Sequence, residues 1–254
     1  MTKYRFSDGA AVVFGGSGGL GTGIVDLLSK CGTDVAFTYL SNEEAAKENI
    51  SKIESNGQKG FASSVDLLDV EKVENFVKSS KKEFGRIHSV IFATGPFLHI
   101  MPILDADPED VYKTLDTDIK GFYHVLRACV PVLRDGGGGS ITALTTAAIH
   151  KYISTDGLSS VPKSGVQHLC TAISREEGHN GIRANCVAVG LIAVGLSQEI
   201  DSPPGGILDQ WMQQVPLGRA GDPNELFDTV VFLASENAGY ISGQSIPVDG
   251  GYSA

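Results

Sequence analysis

The chain has 254 residues, 42% of them hydrophobic and 20% charged, a balance that supplies a core and excludes the disordered class. Its 30 acidic and 20 basic side chains leave a formal charge of −10, which repels phosphate backbones and argues against a nucleic-acid partner. The longest strongly apolar run, VAVGLIAVGL at 187–196, is too short to span a bilayer, and MTKYRFSDGA lacks the apolar stretch of an export signal. A cytoplasmic protein without membrane association is therefore expected.

The first strand-like run is AAVVF (10–14), followed by FGGSGGLG (14–21) and the apolar helix pattern IVDLLSK. A glycine loop between strand and helix has a mechanism. Gly15, Gly19 and Gly21 let the backbone turn tightly, approach a pyrophosphate and pack helix on strand, while the helix N-terminus offers unpaired N–H groups to the anion. Ser17 and Leu20 join them as candidate cofactor contacts; a ligand-free turn is the competing reading. The second strand, VAFTY (35–39), ends in Thr38, Tyr39, Leu40, Ser41 and Asn42. A carboxylate there would accept the ribose hydroxyls of NAD and repel a 2′-phosphate. None is present, so NADP(H) is favoured over NAD(H), with Ser41 and Asn42 as phosphate donors.

Helix patterns EEAAKENISKIES and VEKVENFVKSSKKEF flank the third strand, GFASSV (60–65), and SVIFA (89–93) is the fourth. PEDVYKTLDTDIKGFYHVLRACVPVL reads as one long helix over 108–134, and GGGG (136–139) as the turn into a fifth strand, SITAL (140–144). After Lys163, Val166, Leu169, Cys170 and Ile173 form a stripe that suits core packing or a subunit interface. RANCVAV (183–189) and QSIPV (244–248) complete seven strands alternating with helices, an α/β pattern with a parallel sheet covered on both faces. No boundary is visible, so one domain spans 1–254. SPPGG (202–206) interrupts the alternation inside a segment, 192–215, that suits a substrate loop or a plain surface loop. Cys31, Cys129, Cys170 and Cys186 are scattered without metal-ligand spacing, so no metal site is expected and the thiols read as structural and reduced.

In these motifs the chain resembles the short-chain dehydrogenase/reductase family, whose loop reads T-G-x-x-x-G-x-G; Phe14 replaces the threonine and all three glycines match. VDLLD (65–69) is similar to the family's element after the third strand, which implies Asp66 and Leu67 as adenine contacts. FATG stands for N-N-A-G and implies Ala93, Thr94 and Gly95. GIRANCVAVGLIAV (181–194) stands for the stretch that supplies Gly190 and Ile192, and residues 216–254 match the C-terminal region closely. The resemblance implies a Rossmann-type, doubly wound, seven-stranded sheet, an NAD(P)(H) cofactor and a homotetramer.

In that family a tyrosine protonates the substrate oxygen, aided by a lysine four residues later, a serine and an asparagine. By position those places hold Ser159, Lys163, Thr146 and Asp118, so only Lys163 is unchanged. Lys163 would hold the nicotinamide ribose, and Thr146 can still hydrogen-bond a carbonyl oxygen. Asp118 can form an ion pair with Lys163 that stabilises the ammonium. Val189 and Val194 replace the family's proline and threonine. Ser159 is too weak an acid to inherit the phenol's task. Tyr152 and His150, on the segment between Thr146 and Lys163, are candidate donors or ordinary loop residues. Dienoyl-CoA reductases and enoyl-thioester reductases place their tyrosine where this chain has Ala148 and Asp156, so neither precedent transfers. His99, His124 and His168 read as packing or surface residues, His99 near the pocket mouth. The expected function is an NAD(P)(H)-dependent reductase of a small molecule, a ketone or thioester carbonyl or a C=C conjugated to one. A binding protein without turnover, or a non-redox dehydratase or isomerase, remains open.

Overall fold

The computed structural model describes residues 4–95, 100–194 and 206–254. Its strands are β1 (Ala10–Phe14), β2 (Asp34–Tyr39), β3 (Gly60–Ser64), β4 (Ile87–Phe92), β5 (Gly139–Thr146), β6 (Ile182–Val189) and β7 (Ser245–Val248). They form one parallel sheet in the order β3-β2-β1-β4-β5-β6-β7. Each of the seven apolar runs is a strand because parallel strands are buried on both faces and lack polar alternation. The order reverses direction beside β1. Such a reversal opens a crevice at the carboxyl ends of the strands, where α/β sheets receive ligands.

The helices are α1 (Gly19–Lys30), α2 (Glu43–Ser55), α3 (Val70–Phe84), α4 (Pro108–Leu115), α5 (Gly121–Asp135), α6 (Gly157–Glu176), α7 (Ile207–Met212) and α8 (Pro223–Ala234). Period-two alternation in β1 sends Val12 and Phe14 into one core, with Phe76, Phe122 and Val166, and Ala11 and Val13 into the other, with Ile24, Leu28 and Val230. Phe14 is fully buried and meets Phe76 edge-on at 5.6 Å, so the residue replacing the family's threonine points away from the glycine loop. The stripe after Lys163 packs on that same core, with Val166 and Cys170 buried and Leu169 and Ile173 against it. All four cysteines are buried. Among the described residues no helix is long and apolar enough to cross a membrane.

One expectation needs correction. The helix read as continuous over 108–134 is broken by a π turn, Asp116–Lys120, between α4 and α5. A π turn inserts an extra residue and rotates the side chains after it. Here it carries the buried Asp118, which sits beside α6.

The C-terminal ends of α5 and α6 are tied together by an ion pair. Arg134 Nε donates to Glu177 Oε2 at 2.6 Å, its Nη2 donates to Oε1, and Asn180 Nδ2 donates to Oε2 at 2.8 Å. The guanidinium holds the Glu177 carboxyl down at about 2, against an ordinary value of 4.5. A depressed carboxyl stabilises the fold above its unfolded value and loses that contribution as pH falls. Glu177→Gln is therefore expected to lower the melting temperature at pH 7, with the gap to the parent closing as pH falls from 4.5 through about 2 in a series of thermal melts.

Candidate active site

The glycine loop folds under constraints its sequence announces. Gly15 has φ +88°, and a Cβ there would lie 2.7 Å from Thr94 Cγ2. A Cβ on Gly21 would lie 2.0 Å from the Gly15 carbonyl oxygen. Gly15 N donates to Thr38 Oγ1 at 3.0 Å, Gly16 N to Thr38 O at 2.8 Å, and Asn49 Nδ2 reaches the Gly16 carbonyl at 2.9 Å. Thr38 and Asn49 therefore brace the loop from β2 and α2. Sequence reasoning assigned neither this task, because the contact joins elements distant in the chain. Gly18 caps α1 without a side chain, leaving the first turn open to an anion.

Next to this loop lies a cavity of about 600 Å³ lined by Gly15, Ser17, Gly19, Ser41, Asn42, Asp66, Leu67, Ala93, Thr94 and Gly95, among others. It brings together ten of the fifteen residues expected at the cofactor; Leu20 and Gly21 lie in the first turn of α1, Lys163 is on α6, and Gly190 and Ile192, just past β6, are not part of its described lining. Asn42 spends its side-chain oxygen on Ala45 N at 3.1 Å, which leaves its Nδ2 free to donate, and Ser41 is exposed. Asp66 turns one carboxylate oxygen to Leu68 N at 2.9 Å, and His124 Nδ1 hydrogen-bonds the Leu67 carbonyl at 2.7 Å, fixing that corner. Thr94 Oγ1 is buried without a partner at the cavity wall. A loop whose Gly15 and Gly21 leave no room for a Cβ, and an orphaned hydroxyl beside it, fit a dinucleotide.

Lys163, on the second turn of α6, reaches back to the same edge. Its Nζ donates to Thr94 O at 2.7 Å and to Asp118 Oδ1 at 2.9 Å, and lies 5.4 Å from the Phe92 ring centroid. The ion pair expected from sequence is therefore present and buried, with the two side chains 11% and 2% exposed. Burial pushes the Asp118 carboxyl up, and the adjacent ammonium pulls it back. These two oxygens fix the position of the Lys163 Nζ at the edge of the cavity.

A second cavity of about 150 Å³ opens at the ends of β5 and β6, lined by Thr146, Asp156, Gly190, Trp211, Val215 and Tyr252, among others. Thr146 Oγ1 accepts from Ala148 N at 3.2 Å, leaving its O–H free to donate. Gly190 is required here, since a Cβ would fall 2.5 Å from Asp249 Cα. Ile192 is buried in the core cluster shared with α1 and α8. Ser159 is half-buried on the first turn of α6. Tyr152 is 58% exposed, and His150 Nε2 hydrogen-bonds Ser245 Oγ at 3.0 Å; neither is part of the cavity's described lining. His99 and most of SPPGG lie outside the described residues, and His168 is exposed. Trp211 falls in the segment 192–215 read as a candidate substrate loop, whereas sequence reasoning did not place Asp156 or Tyr252 in the site; no local pattern brings separate segments to one wall.

Comparison with known proteins adds relatives to this geometry. The family described as Enoyl-(Acyl carrier protein) reductase matches residues 15–253. An uncharacterized oxidoreductase of Bacillus subtilis, YhxD, is 31% identical over 246 residues, covering 95% of this chain and 81% of its own. The 3-oxoacyl-(acyl-carrier-protein) reductase FabG of Staphylococcus aureus is 30% identical over 251 residues, covering 95% and 97%. Among solved structures, a short-chain type dehydrogenase/reductase from Mycobacterium ulcerans superimposes with a TM-score of 0.91 at 28% identity, covering 98% of this chain and 91% of that one. Carveol dehydrogenase from Mycobacterium avium, solved with NAD, shares the fold at 22% identity and a TM-score of 0.89, covering 98% of each chain.

Proposed function

This chain belongs to the short-chain dehydrogenase/reductase family, a family of NAD(P)-dependent oxidoreductases, and on that premise we propose that it is an NADP(H)-dependent reductase of a carbonyl group or of a C=C conjugated to one. The substrate class is ketones and 3-oxoacyl or enoyl thioesters. The observation that carries the reading is the dinucleotide cradle beside a clamped Lys163: the glycine loop, the orphaned Thr94 hydroxyl and the ammonium shared by Thr94 and Asp118 meet at one sheet edge.

When bound, the nicotinamide supplies the hydride. Ser17, Leu20 and the loop glycines take the pyrophosphate, Asp66 and Leu67 the adenine, and Ser41 with Asn42 the 2′-phosphate that no β2 carboxylate repels. Ala93, Thr94 and Gly95 line the path to the nicotinamide, Lys163 holds its ribose, and Gly190 and Ile192 close the far side. Thr146, with Ser159, donates to the substrate oxygen, stabilising charge that develops there. The proton comes from the Thr146 cavity rather than from the exposed Tyr152 or from His150. Trp211 and Val215, from the described part of segment 192–215, form one wall of the substrate cavity; residues 195–205 lie outside the described residues. The chain acts as a single unit of a homotetramer, with exposed Tyr112, Tyr123 and Val161 on α4, α5 and α6 in its interfaces.

The test is NADPH and NADH oxidation against acetoacetyl-CoA, a cyclic diketone and crotonyl-CoA. At least one is expected to be reduced, with NADPH preferred about tenfold or more. Tight NADPH binding without hydride transfer to any of them would overturn the reading in favour of a binding protein.

A further inference from the structure

One side chain in the lining of the Thr146 cavity has a buried oxygen without a hydrogen-bond partner. Asp156 is the N-cap of α6, a place where aspartate ordinarily spends a carboxylate oxygen on the first-turn N–H groups. Here the Asp156 carbonyl takes one first-turn donor, Ser159 N at 3.1 Å, besides the ordinary first helical bond from Ser160 N at 2.9 Å and a bond from Ser160 Oγ at 2.9 Å. The side chain makes no capping bond, and its Oδ2 is out of water with no hydrogen-bond partner. The residue before it, Thr155, has φ +76° and is the one non-glycine among the described residues with positive φ. A β-branched residue held in that region is a strained conformation of the kind found where a side chain is aimed for function.

We propose that Asp156 is the catalytic acid of this site, delivering its carboxyl proton to the substrate oxygen held by Thr146. The inference rests on the reductase reading above. Hydride arrival at the carbonyl carbon, from the reduced nicotinamide, moves the C=O π pair onto oxygen. The Asp156 O–H bond breaks as its proton joins that oxygen, yielding the alcohol. The carboxylate left behind is reprotonated from water, so one hydride and one proton are consumed per turnover.

The surroundings suit the task. The β6 side of the cavity contributes Val189, Gly190 and Leu191, and α7 contributes Trp211, none of them charged. From the C-terminal segment comes Tyr252, the other titratable group in the described lining. Burial raises its phenol, and the Asp156 and Asp249 carboxylates add to that rise. Lys151, which is not part of that lining, contacts Tyr252, its Nζ donating to the Tyr252 carbonyl at 3.0 Å and lying 4.8 Å from the ring centroid. No cation pairs with Asp156 among the described residues, and burial pushes its carboxyl up to about 7. An acid with that value is half-protonated at neutral pH, where general acids work best.

The experiment has two readouts. In steady-state reduction of acetoacetyl-CoA by the full-length protein, the parent kcat is expected to fall as pH rises through about 7, because the protonated form is lost. Asp156→Asn should lose about 100-fold or more in kcat and the pH limb with it, while NADPH binding by fluorescence titration stays at the parent value. Asp156→Glu should recover part of the rate and restore the limb, and Tyr252→Phe should keep it. Independently of turnover, carboxyl-carbon NMR of the parent should show a resonance, absent from Asp156→Asn, that titrates near 7. A midpoint near 4, or an Asp156→Asn protein with parental kcat and limb, overturns the acid and leaves the reductase reading standing. A parent that binds NADPH yet reduces no probe overturns both.

Discussion

Gly21→Ala is expected to abolish dinucleotide binding, weakening NADPH by about 100-fold or more in calorimetry, a loss of roughly 3 kcal/mol. The added methyl would stand 2.0 Å from the Gly15 carbonyl oxygen and 2.9 Å from Gly16 Cα. Both are main-chain atoms, so no side-chain rotation relieves the clash and α1 must move away from the loop. The helix is not free to move. Phe227 of α8 occupies the space beside Gly23, and Asn49 of α2 is tied to both Gly16 O and Thr22 Oγ1. Overpacking at so confined a place adds about 1–3 kcal/mol of lost stability. Gly18→Ala is the control: its Cβ would meet nothing nearer than 3.5 Å, so its melting temperature should remain at the parent value. Parental NADPH affinity in Gly21→Ala would refute the cradle assigned to the loop.

Lys163→Met should combine a large loss of stability with loss of turnover. Removing the ammonium leaves Asp118, 1% exposed, without its cation. Breaking a buried pair from one side costs about 3–5 kcal/mol because the remaining charge is uncompensated. Burial raises the Asp118 carboxyl even in the parent, and without Lys163 nothing opposes that rise. A raised folded-state value means the native protein holds a proton that the unfolded chain has released, so the variant loses stability as pH climbs above the ordinary 3.8. Urea melts should show a wide gap from the parent at pH 8 that narrows toward pH 4. Lys163→Met/Asp118→Asn should regain much of the stability, since both charges are then gone, but none of the turnover, since the proposed ribose clamp is still missing. A single variant as stable as the parent at pH 8 would contradict the ion pair's structural role.

The legible parts of the chain were those governed by near neighbours. EEAAKENISKIES and VEKVENFVKSSKKEF are α2 and α3 residue for residue, because an apolar stripe at three and four spacing together with Asn42 and Asp69 as caps specifies a helix locally. The long pattern over 108–134 was misread as continuous, since a π turn leaves the apolar spacing nearly unchanged and is set by what its side chains reach. The Asp118–Lys163 pair was foreseeable because positions in a family motif are spatially related. The carboxyl in the Thr146 cavity was not: Asp156 stands where enoyl-thioester reductases carry tyrosine, and no local pattern marks it as sharing a cavity with Tyr252.

By itself the sequence determined the seven-stranded α/β architecture and the glycine loop, because burial on both faces of a parallel strand and tight turns leave periodic and compositional marks; Asp66, Leu67, Ala93, Thr94 and Gly95, along the cavity beside that loop, came from the family resemblance. The tertiary structure alone decided which groups are paired and which are not. Whether a carboxyl is neutralised by a lysine, as Asp118 is, or left without a partner, as Asp156 is, depends on chain segments dozens of residues apart. Solvation and charge pairing act through space, and no local pattern of residue types records them.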